Sequence, residues 1–147
     1  MSFPLIDADP YLKDFEGDIE LRMQNYHRVR KNLLGSKKSL LEVSENHKYY
    51  GFHQEDGGWY YRENAPGADE MYLVGDFNGW DRFTHRMKRR KNGDFEIFLP
   101  GKNALKDGQH VQVLVYSHGK ALERIPVYAD YVVQDPETHQ WCAQMFI

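Results

Sequence analysis

Ile19, Met23, Tyr26, Val29 and Leu33 recur three and four residues apart and stop before Gly35, the spacing of one apolar helix face. Asp18 is placed to cap the start of this helix, with Glu20 in its first turn. Arg28, Arg30 and Lys31 fall toward its end, where the helix dipole favours cations. Ser39-Leu40-Leu41-Glu42 has the form of a capping box and predicts a second, shorter helix reaching Val43.

After His47 the period changes to strands punctuated by turn residues. Lys48 to His53 and Trp59 to Glu63 flank Gln54-Glu55-Asp56-Gly57-Gly58 as a hairpin, and Ala65-Pro66-Gly67 ends the second strand. Further strands are predicted at Glu70 to Asp76, Asp94 to Leu99, His110 to Ser117, Ala121 to Ile125, Tyr131 to Gln134 and Gln140 to Phe146. Val111, Val113 and Val115 share one face of the strand from His110, the alternation of a half-buried strand. Seven or eight short strands with no helical pattern between them predict a mainly β fold, an antiparallel sandwich rather than a parallel α/β sheet. The helical segment covers residues 1–46 and the sandwich 47–147.

Composition sharpens this picture in two places. Aromatic residues make up 14% of the 147, which suits strands and supplies stacking surfaces. Charge is close to balanced, with 19 basic and 22 acidic side chains giving −3, so wholesale electrostatic binding to nucleic acid is not expected. The two local basic runs, Arg22 to Lys38 and Arg82 to Lys91, read as solvated faces. The single cysteine, Cys142, excludes a disulfide framework within the chain and fits a reducing, cytoplasmic setting. No run approaches the roughly 18 apolar residues of a membrane span, so no membrane partner is expected.

Candidate catalytic chemistry is sparse. The closest histidine pairs, His47 with His53 and His110 with His118, match no compact metal-ligand spacing, and neither metal nor cofactor is expected. There is no nucleophile elbow, phosphate loop or dinucleotide fingerprint.

The stretch Tyr49-Tyr50-Gly51-Phe52-His53, Gly58-Trp59-Tyr60-Tyr61-Arg62-Glu63, Ala65-Pro66-Gly67-Ala68 and Tyr72-Leu73-Val74-Gly75-Asp76-Phe77-Asn78-Gly79-Trp80 resembles the amino-terminal region of eukaryote-like 1,4-α-glucan branching enzymes, in glycoside hydrolase family 13. The likeness continues through His85-Arg86-Met87-Lys88, Phe95-Glu96-Ile97-Phe98-Leu99-Pro100, Arg124-Ile125-Pro126 and Tyr131-Val132-Val133-Gln134-Asp135-Pro136, and begins at Asp9-Pro10-Tyr11-Leu12. It implies a family-48 carbohydrate-binding module, an immunoglobulin-like antiparallel β-sandwich preceded by one or two N-terminal helices. In such enzymes a catalytic (β/α)8 barrel follows. Its motifs are missing here, so the chain is expected to be inactive itself and to be an ancillary α-glucan-binding and barrel-docking piece of a larger enzyme. The N-terminal helix and the tail Trp141 to Ile147 are the expected docking elements. The alternative is a stand-alone glucan-binding or protein-interaction module.

The resemblance also implies the site. Trp80 is placed to stack on glucose, Tyr128 is a second aromatic, Asn78 shapes or joins the site, and Gln112 stands where relatives often carry lysine. Trp59, within an alternating strand, reads as core, and Asn64 occupies a position where the family usually has tryptophan. Expected partners are an α-1,4-glucan such as glycogen or a malto-oligosaccharide, and the downstream barrel.

Overall fold

The structure is a computed structural model, and it describes residues 3–37 and 39–147. The chain divides into two compact units, one ending at Glu45 and the other spanning Asn46–Ile147.

The first unit holds helices α1 (Pro4–Ala8), α2 (Glu16–Leu34) and α3 (Leu40–Val43), with a 3-10 turn at Pro10–Phe15. Asp9 caps that turn by accepting a hydrogen bond from the Tyr11 amide at 3.1 Å. The turn feeds directly into α2, which therefore starts two residues before the expected cap. Asp18 lies inside the first turn, where its charge still faces the positive end of the dipole. Ser39 caps α3 as its sequence predicts, its hydroxyl accepting from the Glu42 amide at 3.3 Å. No described helix is long and apolar enough to cross a membrane.

The second unit is an immunoglobulin-like β-sandwich. One sheet runs β1-β2-β5-β4, with β1 Gly51–Glu55, β2 Gly58–Asn64, β5 Asp94–Pro100 and β4 Lys88–Arg89. The other runs β3-β6-β9-β8, with β3 Glu70–Gly75, β6 His110–Ser117, β9 Trp141–Gln144 and β8 Val132–Gln134; β7 (Lys120–Arg124) also pairs with β6. Every pairing between these strands is antiparallel. The β1–β2 connection is tighter than its composition suggests. Glu55 pairs with Gly58, so the turn is only Asp56-Gly57, and both take positive φ (52° and 78°) as the primed hairpin turns require.

Trp59, Tyr61, Phe95 and Leu99 from the first sheet pack on Met71, Leu73, Val111 and Val113 from the second. Trp59 is core, as expected. The β6 strand departs from the half-buried expectation, because Gln112 and Leu114 on its other face are buried too. Leu114 pairs with Tyr72 on one side and Glu123 on the other. The loop after β3 spans that interval, with Phe83 against Tyr72 and Arg82 ion-paired to Glu123. It therefore roofs Leu114.

One polar group sits inside the sandwich. Glu63 of β2 is 1% exposed, and its carboxylate accepts from the Tyr61 hydroxyl and pairs with the Arg124 guanidinium of β7. The Val127 amide donates to the same carboxylate at 3.5 Å. Burial pushes the Tyr61 phenol well above its ordinary value, which keeps it a donor. The Glu63–Arg124 pair joins the two sheets and holds the segment that leaves β7.

Two outcomes follow from these ion pairs. Arg124→Met should lower unfolding free energy by about 3 kcal/mol in urea titrations, because Glu63 is left charged and unpaired, and Glu63→Gln in the same chain should recover part of the loss. The second concerns Glu96 on the outer face of the first sheet. Burial disfavours its charge, but hydrogen bonds from Arg90 and Arg62 outweigh this and hold its pKa below the usual glutamate value. A depressed folded pKa stabilises fully above the unfolded value, and the contribution is lost as pH falls through the folded one. Urea midpoints should therefore decline as pH falls below the unfolded glutamate value of about 4.3, and Glu96→Gln should flatten that slope.

Candidate functional site

The segment after β3 makes a compact turn that presents an indole. Asp76–Asn78 form a 3-10 turn, Gly79 follows in the left-handed region, and Trp80 also has positive φ, 62°. A bulky residue in that region is strained and persists only where surrounding bonds fix it. Here they do. The Trp80 amide donates to the Gly75 carbonyl at 2.9 Å, and its indole Nε1 donates to Asp76 Oδ1 at 2.8 Å. The other oxygen, Asp76 Oδ2, accepts from the His110 amide at 2.7 Å, which ties the turn to the start of β6. Trp80 remains 39% exposed. Sequence reasoning missed Asp76 as its anchor, because the bond between them shows only once the turn is built.

Asn78 is committed to the turn itself. Its Oδ1 accepts from the Gly75 amide at 3.1 Å, and its Nδ2 reaches the Asp81 carbonyl at 2.9 Å, the Leu73 carbonyl at 3.4 Å and His85 Nδ1 at 3.1 Å. It shapes the platform rather than offering free polar atoms.

Gln112 is 4% exposed and lies on the outer side of β6, beneath the surface. β6 pairs with β9 through His110 and Val111, then with β7 from Val113 onward. Gln112 stands at that handover, and its Nε2 donates to the Trp141 carbonyl at 2.8 Å. The amide closes the seam where one neighbouring strand gives way to the next.

Tyr128 belongs to the other sheet's surroundings. Its φ is 60°, and its ring stacks on Tyr50 with centroids 6.0 Å apart and 11° between planes. Gly51 takes φ 92°, which a side chain rarely adopts, and a Cβ there would lie 3.1 Å from the Tyr128 Cβ and 3.3 Å from its carbonyl oxygen, so the start of β1 favours glycine. The Tyr50 hydroxyl donates to Asp94 Oδ1 at 2.9 Å, and burial together with this carboxylate raises the phenol pKa. Trp80 is thus anchored on the second sheet and Tyr128 on the first.

The outer face of the first sheet carries a further cluster. The Arg62 guanidinium lies 4.2 Å from the Tyr60 ring centroid and 4.8 Å from that of Tyr49, and it bonds Glu96 at 2.9 Å and Glu55 at 3.2 Å. In the tail, Cys142, Ala143 and Met145 are consumed by the module's own packing, while Trp141, Phe146 and Ile147 are exposed. Burial pushes the Cys142 thiol pKa up, away from nucleophilic character. Among the described residues no group of three or more histidine, cysteine, aspartate or glutamate side chains is arranged to hold a metal ion.

Comparison with known proteins fits this geometry. The chain is 37% identical over 141 residues to the 1,4-α-glucan-branching enzyme of Yarrowia lipolytica, covering 92% of this chain and 20% of that one. It is 32% identical over 139 residues to the enzyme of the same name from Felis catus, covering 90% and 20%. It therefore spans about a fifth of the length of these curated relatives. Among solved structures, pullulanase type I from Bacillus subtilis complexed with maltose superposes with a TM-score of 0.52 at 14% identity, over 67% of this chain and 13% of that one. A product complex of the multi-modular glycogen-degrading pneumococcal virulence factor SpuA gives 0.52 at 18%, over 71% and 13%. At such identities the likeness is one of fold. The model for carbohydrate-binding module 48, the isoamylase N-terminal domain, matches residues 49–129, which take in the Trp80 turn, the Glu63–Arg124 pair and Tyr128; the chain belongs to that family.

Proposed function

We propose that this chain is the ancillary α-glucan-binding region of a 1,4-α-glucan branching enzyme, and that Trp80 is its principal sugar contact. The observation that carries the reading is an exposed indole held rigid in a strained conformation by Asp76. Glucose rings have apolar CH faces that stack on such a surface, and a preorganised ring loses little freedom when a ligand arrives. Tyr128, stacked on Tyr50, offers a second aromatic surface on the other sheet. Gln112 contributes from below by fixing the β6–β9 seam, and Asn78 by fixing the turn. The relatives' names support the parent activity, transfer of α-1,4 chain segments to form α-1,6 branches. In such enzymes that chemistry belongs to a catalytic barrel, with which the N-terminal helices and the exposed Trp141, Phe146 and Ile147 are proposed to dock. The compartment is proposed to be the cytoplasm.

Maltoheptaose should bind with a dissociation constant in the high micromolar to millimolar range, about −4 to −5.5 kcal/mol, read by tryptophan fluorescence and amide shifts. Trp80→Ala should abolish the perturbation around the turn. Asp76→Ala should weaken binding about fivefold while leaving the sandwich folded, since it releases the indole without removing it. Unchanged spectra of the native chain at saturating sugar would favour the protein-interaction reading. Incubated with amylose, the chain should leave iodine staining and reducing ends unaltered, because such chemistry needs two carboxylates facing each other across the scissile bond, and those at the Trp80 turn, Asp76 and Asp81, are engaged in hydrogen bonds within the fold.

A further inference from the structure

Phe83 is 71% exposed, lies outside the core, and yet is not on a free loop. Asp81 Oδ1 accepts from the Phe83 amide at 2.8 Å and from the Thr84 amide at 3.0 Å. Asn78 Nδ2 holds the Asp81 carbonyl, and Arg82 is ion-paired to Glu123 on β7. The ring stands proud of the surface on a backbone fixed from both sides. Its edge meets Tyr72 at 6.4 Å and 78°, and Tyr72 in turn meets Tyr116 at 5.9 Å and 76°. Tyr72 and Tyr116 project from the outer face of the second sheet, as their pairing with Leu114 and Glu70 requires. The result is a row of rings beginning three residues from Trp80.

The polar groups beside the row limit what it can take. The Tyr72 hydroxyl donates to Glu70 Oε2 at 2.8 Å, and Arg86 bonds Glu70 Oε1 at 2.8 Å. Arg82 and Arg86 are both neutralised by carboxylates, so the strip offers no excess positive charge to a phosphate backbone. Aromatic faces flanked by balanced donors and acceptors suit a neutral, polyhydroxylated chain with apolar faces. Three residues of backbone separate Trp80 from Phe83 by at most about 11 Å, a span that a short run of linked sugar units bridges.

We propose that Phe83 is a second stacking platform, and that a bound α-glucan runs from Trp80 over Phe83 toward Tyr72 and Tyr116 along the outer face of the second sheet. This rests on the glucan reading of Trp80. The site is then a track whose affinity grows with chain length.

Titrating the whole chain with maltose, too short to reach both rings, and with maltoheptaose tests this. Phe83→Ala should weaken maltoheptaose about three- to tenfold and leave maltose unchanged, whereas Phe83→Tyr should retain native affinity for both. Trp80→Ala should weaken both sugars. An unaltered melting temperature for Phe83→Ala, expected from the ring's exposure, shows that the variant is folded. If Phe83→Ala affects neither sugar while Trp80→Ala affects both, the track is wrong and the Trp80 site stands. Equal weakening of both sugars by Phe83→Ala also overturns the track, because the ring would then only support the turn. If the native chain binds neither sugar, the track and the glucan reading fall together, and Phe83 becomes a candidate protein contact.

Discussion

The buried pair between Glu63 and Arg124 is the interaction on which the arrangement of this sandwich turns. A carboxylate with 1% exposure costs several kcal/mol unless its charge is met, so β2 can keep Glu63 inside only while β7 delivers Arg124 to it. That requirement fixes the separation of the sheets at one end. It also sets the departure of the chain from β7, since Pro126 is buried and the Val127 amide reaches the same carboxylate. Tyr128 follows two residues after Pro126 and is pressed onto Tyr50 over Gly51. A polar contact inside the core thus places an aromatic on the surface.

The second sheet obeys a related constraint of edges. β6 has two successive neighbours on one side, and strands that exchange partners leave carbonyls stranded at the junction. Gln112 answers one of these by bonding the Trp141 carbonyl, and the loop that carries Trp80 covers the adjoining face over Leu114. The exposed aromatic and the sealed seam are consequences of one loop crossing one strand.

How much of this could be read beforehand follows from where the partners lie. The bounds of the strand from His110 to Ser117 were legible, because Val111, Val113 and Val115 alternate without interruption, but that alternation did not show that Gln112 and Leu114 on the other face are buried as well. Trp59 was legible as core for the same reason. The short strand β4, Lys88–Arg89, was not, since two exposed cations inside a basic run carry no alternation. That run read as solvated, and its arginines are exposed; what the sequence did not show is that Arg82, Arg86 and Arg90 are paired to Glu123, Glu70 and Glu96 and that Arg89 donates to the Ala68 and Pro66 carbonyls. Most of these partners lie 16 or more residues away, beyond any local window. Trp80 was found through the motif that contains it. Asp76, in the same motif, was passed over because carboxylates near turns commonly bond only the backbone, whereas this one also reaches the indole.

The bond between Asp76 and Trp80 has a bearing on what kind of recognition the indole can perform. The indole has a single polar hydrogen, and here Asp76 takes it. What remains outward is a face without directionality, blind to the pattern of hydroxyls and responsive only to the flatness of what lies on it. Every internal unit of a homopolymer presents the same flat side, so successive units are equivalent partners and no single register is preferred. On the glucan proposed for it, a contact of this type would hold a long chain while letting it slip past by one unit at a time, a guide rather than a clamp.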